Sequence, residues 1–188
     1  MSDIVSRLDA LKDRLNNEAF LSNRGLSNEV GLYIFAYRPS EEMAIRYYVE
    51  DLLSRQAHDA LPYRVIHYDL YDIMLEICQE KRILERIPQM ETQRGQEFIL
   101  KQIQKLAPPE AYVEHMKYDG HQYGDIVLIT GVGRVFPYMR SHNILNNLQH
   151  VFDDIPVVMF YPGEYTGQSL TLFGKYFDDN YYRAFNLM

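Results

Sequence analysis

Gly124-Asp125-Ile126-Val127-Leu128-Ile129-Thr130-Gly131-Val132-Gly133-Arg134 is the stretch on which the reading of this 188-residue chain turns. Ile126 to Ile129 are four unbroken aliphatic residues, bounded by Gly and Asp before and by Thr and Gly after. A run so short and so apolar fits a strand buried on both faces, as in the interior of a parallel sheet. Gly131 and Gly133 then mark a loop, and the residues from 138 to 149 repeat at helical spacing.

Working outward, the strand-turn-helix unit recurs. Val30 to Tyr37 reads as a first strand stopped by Arg38-Pro39, with Ser40 as N-cap of a helix. Glu41 and Glu42 fall in that helix's first turn, and Ala44, Ile45, Tyr48 and Leu52 form its buried stripe. Tyr63 to Tyr68 is a second strand, followed by a helix that Asp69 can cap and that carries Ile73, Ile77, Ile83, Leu84 and Ile87 until Pro88 interrupts it. Residues 91–106 form a further helix ended by Pro108-Pro109, and 110–124 a short helix and polar loop. Pro156 to Tyr161 is the fourth strand, closed by Pro162-Gly163. At the other end, Ile4, Leu8, Leu11 and Leu15 define an amphipathic helix over 3–18.

Strands alternating with helices imply parallel pairing through right-handed crossovers. The expected fold is a single α/β domain over 1–188, with a mostly parallel sheet of about four or five strands and helices on both faces. It resembles P-loop-NTPase-like or Rossmann-like sheets without a Walker A motif. Residues 1–25 supply an N-terminal helix and turn, and 162–188 a C-terminal loop and aromatic tail. In such sheets the loops at the carboxyl ends of the strands gather on one edge, where ligands bind. The candidate working residues on that edge are Arg38, Asp69, Gly131, Gly133, Arg134, Glu164 and Gln168, with Arg140 and Arg183 beside them.

Composition narrows the classes. An apolar content of 47% with 24% charged residues is globular rather than disordered. A net charge of −7 argues against non-specific nucleic-acid binding, which needs a basic stripe. The single Cys78 excludes an intrachain disulfide and reads as a buried small hydrophobe. No stretch approaches the ~20 apolar residues that cross a bilayer, so a cytoplasmic protein is expected.

Gly131-Val132-Gly133-Arg134 sits where a phosphate loop would sit. It lacks the Gly-Lys-Ser/Thr of a Walker loop, and Phe136 stands where the dinucleotide pattern needs a third Gly. A tight turn is the commoner reason for such glycines. Arg134 and Arg140 could pair with a carboxylate or phosphate of a partner, although solvated arginines are more usual. The histidines show no metal spacing, the Asp doublets flank turns, and no nucleophile elbow occurs, so neither metal, cofactor nor catalytic activity is expected. The tail, glycine-punctuated and then aromatic, reads either as a terminal strand completing the sheet or as a partner-binding surface.

Ser27-Asn28-Glu29-Val30, Thr130-Gly131-Val132-Gly133, Arg140-Ser141-His142 with Leu145-Asn146-Asn147-Leu148, Pro162-Gly163-Glu164-Tyr165-x-Gly167-Gln168-Ser169-Leu170, and Asp179-Asn180-Tyr181-Tyr182-Arg183-Ala184-Phe185 together resemble the BrxB family. BrxB is the small component of bacterial BREX (bacteriophage exclusion) systems. The resemblance spans nearly the whole chain and implies an antiphage role alongside a DNA methyltransferase, a large ATPase and the hydrolase-like PglZ. It carries no catalytic residues. A non-enzymatic adaptor that binds another BREX protein, PglZ first, is the leading expectation. A degenerate NTPase-like or nucleotide-sensing domain is the alternative, and direct DNA contact through Arg134, Arg140, Lys175 and Arg183 is a weaker third.

Overall fold

The computed structural model describes residues 3–22, 31–148, 150–178 and 184–187. An N-terminal helix α1 (Ile4–Leu15) is followed by a one-turn α2 (Glu18–Leu21) that Asn17 caps, its side chain accepting from the Ala19 and Phe20 amides. Then come β1 (Leu32–Tyr37), α3 (Glu42–Ala57), β2 (Arg64–Asp69) and α4 (Leu70–Glu80). Three helices follow, α5 (Ile87–Arg94), α6 (Gln96–Leu106) and α7 (Pro109–Met116), before β3 (Asp125–Thr130), α8 (Val132–Val135), α9 (Ser141–Leu148) and β4 (Val157–Tyr165). The tail contributes β5 (Leu170–Leu172), β6 (Tyr176–Asp178) and β7 (Phe185–Asn186).

The sheet runs β2-β3-β4-β1-β7, all parallel, with β5 and β6 added to the end of β4 as antiparallel strands. The expected α/β class and parallel sheet are therefore present. The tail adds strands to the sheet, as the first of its two readings has it: β7 forms a parallel edge beside β1, and β5–β6 form an antiparallel extension of β4.

Chain direction dictates the layers. The link from β1 to β2 passes over β4 and β3 toward one edge, and the links β2 to β3 to β4 come back. Right-handed crossovers running in opposite directions put their helices on opposite faces. Period-2 alternation in the strands then divides the core. Leu32, Ile34, Val127, Ile129, Val157 and Met159 pack with α4, α6, α7 and α9, while Tyr33, Phe35, Ile126, Leu128, Val158 and Phe160 pack with α1 and α3. Ile126, Val127, Leu128 and Ile129 are all 0% exposed. Each such side chain contributes about 1.5–3 kcal/mol. Cys78 is buried in the first of these clusters, and burial pushes its thiol up, so it packs as a hydrophobe.

Two helix readings need correction. Pro88 stands in the first turn of α5, where its missing N–H costs nothing, so it starts a helix rather than breaking one; α4 has already ended at Glu80. The expected helix over 138–149 is the shorter α9, Ser141–Leu148, and the glycine loop before it holds a helical turn of its own, α8, which stops because Phe136 is extended (φ −67°, ψ 135°) and Pro137 has no N–H to continue it.

Two polar devices finish the sheet. Asp125, 1% exposed, accepts both guanidinium donors of Arg64 (2.7 and 2.5 Å), the Tyr118 hydroxyl (2.8 Å) and the Gln122 amide (3.0 Å). On the free edge of β2, the Gln56 carboxamide bonds both the amide and the carbonyl of Val65, standing in for a neighbouring strand and blunting the edge.

Candidate functional site

The carboxyl edge of the sheet is split by α8 into two unlike regions. On one side lies an open cleft of about 210 Å³ between α3 and the ends of β2 and β3. Its strand residues, Tyr37, His67 and Thr130, continue the alternation that puts Phe35, Val65 and Leu128 on the α3 face.

Asp69 organises the floor. As N-cap of α4 it accepts from the amides of Tyr71 (2.9 Å) and Asp72 (3.3 Å) with Oδ1. Its Oδ2 accepts the Thr130 hydroxyl at 2.9 Å and the Arg134 guanidinium. The parallel register, Asp69 opposite Thr130, delivers these partners. Because the Thr130 hydrogen goes to Asp69, His67 Nε2 donates to the Thr130 oxygen (2.8 Å), which leaves Nδ1 as an acceptor. Burial, opposed by the charges of Asp69 and Asp72, holds the imidazole below its ordinary value and therefore neutral. Burial pushes the Asp69 carboxyl up, but the bonds from Arg134 and Thr130 outweigh it, so it stays ionised.

The Gly131 loop is thereby explained. Its φ is +77°, and a Cβ there would stand 2.2 Å from Asp69 Oδ1. A carboxylate occupies the ground beneath the loop, which opposes a phosphate there. Arg134 is committed as well: besides Asp69 it lies 3.7 Å from Asp72 and stacks over the Tyr71 ring.

The facing wall is α3. Tyr37 donates its hydroxyl to Glu42, and Arg46 bonds the other Glu42 oxygen at 2.9 Å. Burial first, then the Glu42 bond, drives the Tyr37 phenol upward, so it keeps its proton. Ile45, Val49 and Leu53 line the wall beside Glu50.

On the other side of α8 the edge is closed. The hairpin of β5 and β6 folds over α8 and α9, leaving about 20 Å³ beneath it. Phe173 lies where a Cβ on Gly133 would meet it at 3.0 Å, so this glycine makes room for the tail. Phe136 packs on Phe173 and Tyr176, and His142 Nδ1 meets Asp178 at 2.6 Å, tying α9 to the hairpin. Tyr165 donates to the Ala184 carbonyl at 2.6 Å. Outside, Tyr176 and Phe177 remain 49% and 60% exposed.

The sequence candidates therefore fall into groups. Asp69, Gly131 and Arg134 meet at the cleft. Gly133 lies under the hairpin, Arg140 borders it with no side-chain bond among the described residues, and Glu164 and Gln168 are exposed on β4 and the following turn. Arg38 belongs to neither, being held by Glu41 at the start of α3 (2.9 Å from Nε). Arg183 lies outside the described residues, as does Ser27-Asn28-Glu29-Val30. His67, Thr130, Glu42, Arg46 and Glu50 escaped the sequence reading; period-2 alternation could have flagged the strand pair once α3 was assigned a face.

A family model described as "BREX protein BrxB" matches residues 66–187. A Bacillus cereus (strain H3081.97) protein named "BREX protein BrxB" is 44% identical over 191 aligned positions, covering 100% of this chain and 99% of that one. This chain belongs to the BrxB family. A second relative of the same name, from Escherichia coli O9:H4 (strain HS), is 31% identical over 183 positions, covering 97% of this chain and 90% of its own. BrxB proteins are components of BREX systems, so the resemblance carried by the loop, α9 and tail motifs names the right family. No solved structure matches the chain. Among the described residues, no helix is long and apolar enough to cross a membrane.

Proposed function

We propose that this BrxB chain works in BREX phage defence as a non-enzymatic adaptor that holds another BREX protein, PglZ first, against its tail hairpin. One observation carries the proposal: the hairpin closes over α8 and α9 yet turns Tyr176 and Phe177 outward, next to Phe136 and Phe173. Arg140 and Lys175, both exposed, flank them. Exposed aromatic residues beside arginine, on a rigid support, have the composition of an interface centre. The methyltransferase and the large ATPase are the further partners such a surface could serve.

The nucleotide-sensing alternative has the open cleft in its favour and the cleft's chemistry against it, since a polyphosphate would face the carboxylates of Asp69 and Asp72 with both neighbouring guanidiniums already paired.

The test is affinity purification of the tagged full chain from cells carrying the complete BREX system. PglZ should be recovered, and Tyr176→Ser with Phe177→Ser should reduce its recovery about tenfold or more, as loss of paired hot-spot aromatics does, with an unchanged melting curve. Recovery of no BREX component, or full recovery with the double variant, would refute the adaptor reading.

A further inference from the structure

The tail hairpin carries a charge pattern as well as an apolar one. We infer that its surface around Tyr176 receives an acidic segment of the partner, one in which carboxylates flank an aliphatic or aromatic side chain. The inference rests on the adaptor reading and adds the chemistry of what docks.

The apolar shelf is built before any partner arrives. Phe136, Phe173 and Tyr176 form a three-ring cluster, with centroids 6.3 Å apart for Phe136 and Phe173, 4.7 Å for Phe136 and Tyr176, and 6.5 Å for Phe173 and Tyr176. Phe173 rests on Gly133 of α8, and the bond of His142 to Asp178 fastens the strand that bears Tyr176 to α9. Rings held by one another and by the helices beneath lose little freedom on docking.

Charge then selects the occupant. Arg140 lines the margin of the hairpin together with Phe136, Tyr176 and Phe177, and Lys175 precedes Tyr176 in the chain. Both are exposed, and neither side chain has a hydrogen bond or ion pair among the described residues. The carboxylate on that margin, Asp178, is 9% exposed and is bonded to His142. Glu164 lies two strands over from Phe177, across Thr171, about 9–10 Å away at ordinary strand spacing. Two uncommitted cations thus stand beside apolar surface on a chain of net charge −7. By contrast, the exposed Met43 and Tyr47 of α3 sit beside Arg46, which Glu42 already holds at 2.9 Å.

A second copy of this chain is a poor occupant, since a two-fold contact brings the patch against itself and sets these cations face to face. A nucleic acid is poor as well, because two cations neutralise few phosphates on a chain that is acidic overall. An acidic, apolar segment matches both features. Arg140 presents a forked set of donors to one carboxylate and Lys175 a point charge to another, while the rings take the apolar side chain.

The test has two arms. In the first, NMR signals of the isotope-labelled full chain are followed during titration with capped Asp-Leu-Asp-Leu-Asp, with capped Lys-Leu-Lys-Leu-Lys and with oligothymidylate. The acidic peptide should shift the signals of Arg140, Lys175 and Tyr176 and bind about tenfold or more tighter than the basic one. In the second, PglZ is recovered on the tagged full chain. Recovery should fall about tenfold or more in Arg140→Glu with Lys175→Glu. For the parent it should weaken as salt rises from about 0.1 M to about 1 M, where the screening length drops from about 10 Å to about 3 Å. Both substitutions are exposed, so the melting curve should stay in place. Equal or tighter binding of the basic peptide or of oligothymidylate, or full recovery of PglZ by the charge-reversed chain, would overturn the inference. Full recovery there, with loss in the Tyr176→Ser and Phe177→Ser variant, would leave the adaptor reading standing without it. Recovery of no BREX component would remove the adaptor reading, and the peptide arm would still decide what the shelf accepts.

Discussion

The two sides of α8 start from the same position at the end of a parallel sheet and end differently. Beneath the hairpin, Leu170, Leu172, Phe173 and Tyr161 fill the crevice with apolar volume and leave about 20 Å³. Under α3, paired charges and hydrogen-bonded hydroxyls line a cleft of about 210 Å³ and nothing from the described chain enters it. Apolar walls attract the chain's own tail because burying it is favourable without directional partners. Polar walls stay open because a segment entering them would have to match each donor and acceptor. One edge is thus closed by the chain's own hairpin on one side of α8 and left as an open polar cleft on the other.

The largest expected effect tests the sheet both regions share. Ile129→Asp places a carboxylate at a position 0% exposed, between two strands, and should abolish folding. A cooperative melt like the parent's, followed by circular dichroism, would displace β3 from the interior. Next, the closed side should respond to volume: Leu170→Ala should cost about 2–5 kcal/mol in urea unfolding. Glu50→Gln, on the rim of the open side, should stay within about 0.5 kcal/mol. Equal effects would erase the contrast.

Gly131→Ala probes the seam between them. It meets both a φ of +77° and the Asp69 carboxylate, and a loss of about 1–3 kcal/mol is expected. The smallest effects are those of pH, and their signs follow from the shifts. His67 binds its proton less readily folded than unfolded, so its contribution is complete above its ordinary 6.5 and is lost as the pH falls from there toward the folded value. Burial pushes Asp125 up, but Arg64, the Gln122 amide and Tyr118 outweigh it, so its contribution is complete above 3.8 and is lost below it as the pH falls through the folded value. Urea midpoints measured from about pH 7 to about pH 3 should fall in two steps. His67→Gln should remove the upper step and Arg64→Met shrink the lower. A midpoint insensitive to both would show that neither shift is anchored as described.

Much of the architecture was legible in residue order. The four aliphatics of β3 announced an interior strand, Asp69 announced a helix start, and glycine at 131 announced a turn, because these depend on burial periodicity, capping and backbone sterics that act within a few residues. That Arg134 pairs with Asp69 was not legible, since its carboxylate lies 65 positions away and is delivered only by the pairing of β2 with β3. Likewise, nothing near Gly133 in the chain foretells Phe173. Pro88 reads in the sequence as an interruption and instead stands in a helix's first turn, which depends on where the preceding helix has already ended.

What the residues settled alone was the α/β class, the strand-helix rhythm and, through motif resemblance, the BrxB family, for local patterning and family motifs survive being read in one dimension. Tertiary structure alone decided that β1 crosses two strands before β2, which lays α3 over the ends of β2 and β3 and makes a cleft, and that the tail returns to seal the other half. Both are contests between long-range burials and polar matches, and only the assembled fold brings the contestants within reach of one another.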